Sequence, residues 1–182
     1  MLASLDRAKR VMQIPTDDTS MDETLSLLIA AASQAIESHC KRSFRKQLYT
    51  ERMSGYSSRY LNLRNYPIHQ IEEVRADQIL GDYEEIGEGR LFRAKGWPIG
   101  EQNISVTYIG GYILPGEATG EEPYTLPESI ELACLLYIQM IGRNPGAKSE
   151  RVGDISITYN DESQALPAPV AALLTPYVGR WV

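Results

Sequence analysis

The stretch from Ser20 to Phe44, SMDETLSLLIAAASQAIESHCKRSF, decides the fold. Ser20 and Glu23 stand at the spacing of a capping box, and Leu25, Leu28, Ile29, Ala32, Ile36 and His39/Cys40 follow at helical period. Acids at Asp22 and Glu23 and bases at Lys41 and Arg42 suit the two ends of a helix dipole. The pattern predicts a helix over Met21–Cys40, with Ala30, Ala31, Ala32 and Ala35 offering a smooth face to another helix.

Outward from that helix the pattern is mixed. Ser4 can cap a short helix over Leu5–Met12, which Pro15 and its turn bring to an end. After Phe44 the period falls to two. Gln47–Met53, Tyr60–Leu63, Ile68–Arg75, Tyr83–Ile86, Arg90–Phe92 and Ile104–Tyr108 read as short strands separated by Gly, Ser, Asn and Pro. Pro115 to Pro123 is an acidic, breaker-rich loop. Pro127 then opens a second long helix with Ile130, Cys134, Tyr137, Ile138 and Ile141 on one face. Ile155–Tyr159 alternates as a further strand, and Leu166–Val182 is a proline-punctuated tail with one helical segment over Pro169–Leu174. The expected class is α+β: a mainly helical core of two long helices plus shorter ones, carrying an inserted small antiparallel β-meander. The chain reads as a single domain over 1–182, with a β-rich insertion at 47–112 and a C-terminal arm at 166–182.

Composition narrows the function. Of 182 residues 43% are hydrophobic, enough for a core, and 18 Lys plus Arg face 24 Asp plus Glu, a formal net charge of −6. That balance provides no general attraction to nucleic acid. Cys40 and Cys134 both fall on apolar helix faces and read as buried thiols, and no apolar run is long enough to span a bilayer. The first residues lack the order of a signal peptide, so the expected place of synthesis is the cytoplasm.

No motif points to catalysis. His39 and His69 belong to different elements, and His39 and Cys40, adjacent on a helix, diverge by about 100°. No second pair has metal-ligand spacing, so neither a metal nor a cofactor is expected. Gly87-Glu88-Gly89 and Gly110-Gly111 are turn glycines without a phosphate-loop continuation. Glu72-Glu73, Glu84-Glu85 and Glu121-Glu122 read as solvated acids. Two features have more than one reading. The basic run Lys41-Arg42-Ser43-Phe44-Arg45-Lys46 either complements a helix C-terminus or touches DNA through Lys41 and Arg42. In the tail, Leu173 and Leu174 either fold back on the core or join an arm whose anchors are Tyr177, Arg180 and Trp181.

Several weak pieces occur in a telling order: Leu27-Leu28-Ile29-Ala30-Ala31-Ala32, Lys41-Arg42-Ser43-Phe44, Leu61-Asn62-Leu63-Arg64-Asn65-Tyr66-Pro67-Ile68, Ile104 to Tyr112, Leu126-Pro127-Glu128, Gly153 to Tyr159 and Leu173-Leu174-Thr175-Pro176-Tyr177. Taken together the chain resembles the head–tail connector (adaptor, head-completion) proteins of bacteriophages and prophages. The resemblance implies a structural virion protein, not an enzyme, at the virion head–tail junction. It further implies a ring of copies, commonly a dodecamer, below the portal protein. That ring would seat a stopper or tail-completion protein and let double-stranded DNA pass without sequence specificity, with no membrane partner. The competing expectation is a cytoplasmic α+β ligand-binding protein or enzyme whose site the sequence does not display.

Overall fold

A computed structural model describes residues 1–143, 149–152, 155–158 and 166–179. The described chain falls into two compact units, one built on Met1–Cys40 with Pro127–Tyr177, the other on Lys41–Leu126.

The first unit is helical where the sequence is amphipathic. Helix α1 spans Leu5–Val11 and is capped by Ser4, whose hydroxyl accepts the Arg7 N–H at 3.3 Å. Helix α2 spans Asp22–Cys40, and Leu25, Ile29, Ala32, Ser33, Ile36 and Cys40 form its buried stripe. Ser20 does not serve as its cap: Asp18 accepts the Ser20 N–H at 2.9 Å and engages its side chain, which holds the preceding turn and lowers the Asp18 pKa. Helix α3 spans Glu128–Arg143 and packs on α2, and its Ile130, Ala133, Cys134 and Ile138 are fully buried. Each isoleucine side chain so removed from water contributes about 1.5–3 kcal/mol. Ser33 joins the layers: its hydroxyl accepts the Leu2 N–H at 2.9 Å, donates to the Ile29 carbonyl at 2.6 Å and meets the Cys134 sulfur at 3.8 Å.

Two charged contacts fasten α1. Lys9 is 2% exposed, and its ammonium pairs with Asp22 at 2.5 Å and donates to the Thr16 carbonyl at 3.2 Å. Arg7 pairs with the buried Glu131 of α3. Helix α4, Ala168–Leu174, packs on α3 and buries Val170 and Leu174, and a 3₁₀ turn over Thr175–Tyr177 extends it.

In the second unit the strands are β1 (Gln47–Gly55), β2 (Tyr60–Asn62), β3 (Ile68–Arg75), β4 (Glu84–Glu85), β5 (Arg90–Phe92) and β6 (Gly100–Gly110). All pair antiparallel, but they do not form the expected meander. One sheet has the order β1-β6-β3 and a second the order β2-β5-β4. The reason lies in β6, whose 11 residues alternate and bury Ile104, Val106, Tyr108 and Gly110 on one side. It is long enough to be paired along both edges, so it draws β1 and β3 to itself and leaves the short strands to pair with one another. A shared core joins Leu61, Leu63, Val74, Leu91, Trp97 and Tyr108. Gly111 is indispensable at the end of β6. Its φ is +96°, and an added Cβ would stand 2.3 Å from the Arg45 carbonyl oxygen.

A last pair of strands, β7 (Ser149–Val152) and β8 (Ile155–Thr158), is antiparallel; β8 was expected and β7 was not. Among the described residues helix and strand take comparable shares. The fold is therefore mixed α+β, and the expectation of a mainly helical protein overstated the helix because the β region is larger than an inserted hairpin set.

Candidate interaction surfaces

The two basic residues singled out as a DNA contact are adjacent in sequence but differ in exposure. Lys41 takes a left-handed φ of +54° at the end of α2 and is exposed. The following residue, Arg42, is 5% exposed and turned inward. One of its Nη atoms donates to the Tyr66 carbonyl, and its guanidinium lies 3.6 Å from the Tyr66 ring centroid and 5.0 Å from that of Phe44. Such stacking suits a weakly hydrated cation in an aromatic setting. Arg42 is thus held inside the chain against Tyr66 and Phe44, while Lys41 faces solvent.

The rest of the basic run is matched within the chain. Arg45 pairs with Glu117 at 2.6 Å and Lys46 with Glu122 at 3.4 Å. The acidic loop therefore lies against the basic run, leaving Lys41 as the exposed charge of the original pair.

Of the expected arm anchors, Tyr177 is half-buried in the 3₁₀ turn, and its hydroxyl stands 2.9 Å from that of Ser129 at the start of α3. Arg180 and Trp181 lie outside the described residues. His39 sits half-buried on α2, and His69 Nε2 is 2.8 Å from the Gly111 carbonyl oxygen. Among the described residues no group of His, Cys, Asp and Glu is arranged to hold a metal, and no helix is long and apolar enough to cross a membrane.

The buried titratable groups are structural. Tyr108 donates to Glu51, which also accepts the Arg64 N–H at 3.1 Å, while Asn65 donates its N–H to the Tyr108 oxygen at 3.0 Å. Burial first, and then the neighbouring carboxylate, push the Tyr108 phenol far above its ordinary range. Burial likewise pushes the Cys134 thiol up to about 11.

Sequence reasoning missed a groove of about 320 Å³ between β1 and β2. Arg52, Tyr56, Tyr60, Arg64 and Trp97 dominate its walls. Arg52 comes from β1 and Tyr60 from β2, strands of two different sheets, and Tyr56, Arg64 and Trp97 from the loops beside them, so no spacing in the sequence announces the groove. The signal that was present is the clustering of tyrosines in the β region.

Comparison with known proteins places this architecture. No curated protein sequence matches the chain. Among solved structures, a chain of the "Virion of native gene transfer agent (GTA) particle" aligns over 100% of this chain and 91% of its own, with a TM-score of 0.63 at 14% identity. A chain from the "Neck of empty GTA particle computed with C6 symmetry" gives a TM-score of 0.59 at 13% identity, covering 100% of this chain and 91% of its own. One from the "Neck of native GTA particle computed with C12 symmetry" gives 0.56 at 13% identity, covering 98% and 91%. These likenesses establish the shared fold. A family model described as "Head completion protein" matches residues 1–178, nearly the whole length and both compact units. The chain belongs to the head completion protein family.

Proposed function

We propose that the chain is a non-enzymatic building block of a phage-like particle, assembling as a ring at the head–tail junction. The observation that carries this reading is the family match over residues 1–178. The fold shared with chains from particle necks computed with C6 and C12 symmetry supports a cyclic arrangement. In this reading the ring sits below the portal protein, seats a stopper or tail-completion protein, and surrounds double-stranded DNA. A net charge of −6 suits that last task, because a wall that repels phosphates lets DNA pass without sticking. Lys41 is the sparse basic contact, and the terminal segment with Tyr177, Arg180 and Trp181 engages the portal.

The direct test removes the chain from a strain that produces the particle. Filled heads that lack tails and lose their DNA are the expected outcome. Tailed particles in normal number with normal DNA content overturn the proposal.

A further inference from the structure

Sheet β2-β5-β4 has two edges of opposite character. Its β2 edge borders the groove, whose other wall is β1, itself the outer strand of sheet β1-β6-β3. Arg52 and Arg64 are exposed, both line the groove, and no carboxylate does. The β4 edge is acidic. Glu84 and Glu85 are exposed, and neither makes an ion pair among the described residues. The flanking acids differ in this respect: Asp82 is matched by Arg93 at 2.7 Å and Lys95 at 3.3 Å, and Glu88 by Arg90 at 3.3 Å. Next to the free acids, Ile86 is 44% exposed, while across the sheet Tyr56 and Tyr60 stand 67% and 52% exposed at the groove.

We infer that the acidic β4 edge of one copy docks in the basic β1/β2 groove of the next. The argument is one of complementarity. A contact between two different edges of the same subunit is heterologous, and a heterologous contact repeats around a ring, whereas an edge paired with itself stops at a dimer. Edge strands present unpaired backbone groups that an incoming strand can satisfy, and side-chain charge decides which strand is accepted. Glu84 and Glu85 meet Arg52 and Arg64, and Ile86 lies on the tyrosines of the groove. Charge sets the register and rejects the wrong edge; the apolar contact and backbone pairing hold the complex. This rests on the ring reading and names the surfaces that close the ring.

The test is a charge swap in the full chain. One variant carries Arg52→Glu and Arg64→Glu, the other Glu84→Lys and Glu85→Lys, with association measured by sedimentation velocity and melting by circular dichroism. Because Arg64 also reaches Glu51, Arg52→Glu alone serves as a variant that leaves the Tyr108 network untouched. Each variant alone should associate roughly tenfold more weakly than the natural chain. An equimolar mixture should return to within about threefold, since the acidic edge of the first fits the basic groove of the natural pattern in the second, and its acidified groove fits the basic edge. If the natural chain associates but the reversals do not weaken it, or the mixture does not restore it, the docking is overturned and the ring reading stands. If the natural chain does not associate in solution, an Asn62→Cys, Glu85→Cys variant incorporated into particles decides. Disulfide-linked ladders of the chain support the docking, and incorporation without them overturns it. Particles holding one copy overturn the ring reading as well. Loss of incorporation with Arg52→Glu that Glu84→Lys, Glu85→Lys chains do not rescue assigns the groove to DNA or another neck protein and also overturns it.

Discussion

The hydroxyl of Tyr177 stands 2.9 Å from the hydroxyl of Ser129, so the 3₁₀ turn after α4 is tied to the first turn of α3. The tail is therefore fastened to its own unit as far as Tyr177.

Tyr177→Phe should lower stability by about 1 kcal/mol, the worth of one hydrogen bond. Ser129→Ala should cost a similar amount, and the double variant little more than either, because both remove the same contact. Deleting Val178–Val182 should leave the chain folded and reduce incorporation into particles. Normal incorporation and normal DNA retention by the truncated chain would exclude the arm.

Ile29 of α2 and Ile138 of α3 are buried, and the two helices pack on each other. Replacing either by Asp places an unpaired charge in that layer and should cost about 3 kcal/mol or more. A circular-dichroism melt unchanged by both substitutions would refute the packing.

Arg42 and Lys41 should separate cleanly in experiment. Arg42→Ala removes a buried charged hydrogen bond and two ring contacts, and should destabilise the chain by about 2–4 kcal/mol. Lys41→Ala, at an exposed position, should shift stability by less than about 0.5 kcal/mol. If Lys41 touches DNA in the channel, Lys41→Glu changes DNA retention with no change in melting; unchanged retention removes that contact.

Cys134 gives a pH dependence of known sign. Its thiol is raised from 9.0 to about 11 in the folded chain, so folding favours the protonated form. The associated stability is fully present below pH 9 and is lost as pH rises through about 11. Urea midpoints for the natural chain should fall over that window, and those of Cys134→Ala should fall less. Identical slopes in the two chains would contradict it.

How much of this could be read from the residues follows from the range of each signal. The stripe Leu25-Ile29-Ala32-Ile36 and the alternation Ile104-Val106-Tyr108 are periodic, so burial selects them directly. Strand order is different: nothing in the spacing of β1 and β3 says that β6 will part them. The run Lys41–Lys46 looked like one basic patch because sequence shows charge without direction. A single left-handed residue, Lys41, sends its neighbour Arg42 into an aromatic pocket, and the acidic loop meets Arg45 and Lys46. The groove was hidden for a related reason, since Arg52 and Arg64 belong to walls that only the tertiary fold brings together.

Trp97 is 4% exposed, donates its indole N–H to the Arg59 carbonyl at 3.1 Å, lines the groove and lies 6.3 Å from the Tyr83 ring beside β4. The chain has only one other tryptophan, Trp181. A Trp181→Phe background would thus leave a single tryptophan, excited apart from the tyrosines at the red edge of absorption, beside both the basic groove and the Tyr83 ring that precedes the acidic edge. Its emission colour and its quenching by iodide would follow the filling of either surface, giving an optical gauge of assembly that needs no added label.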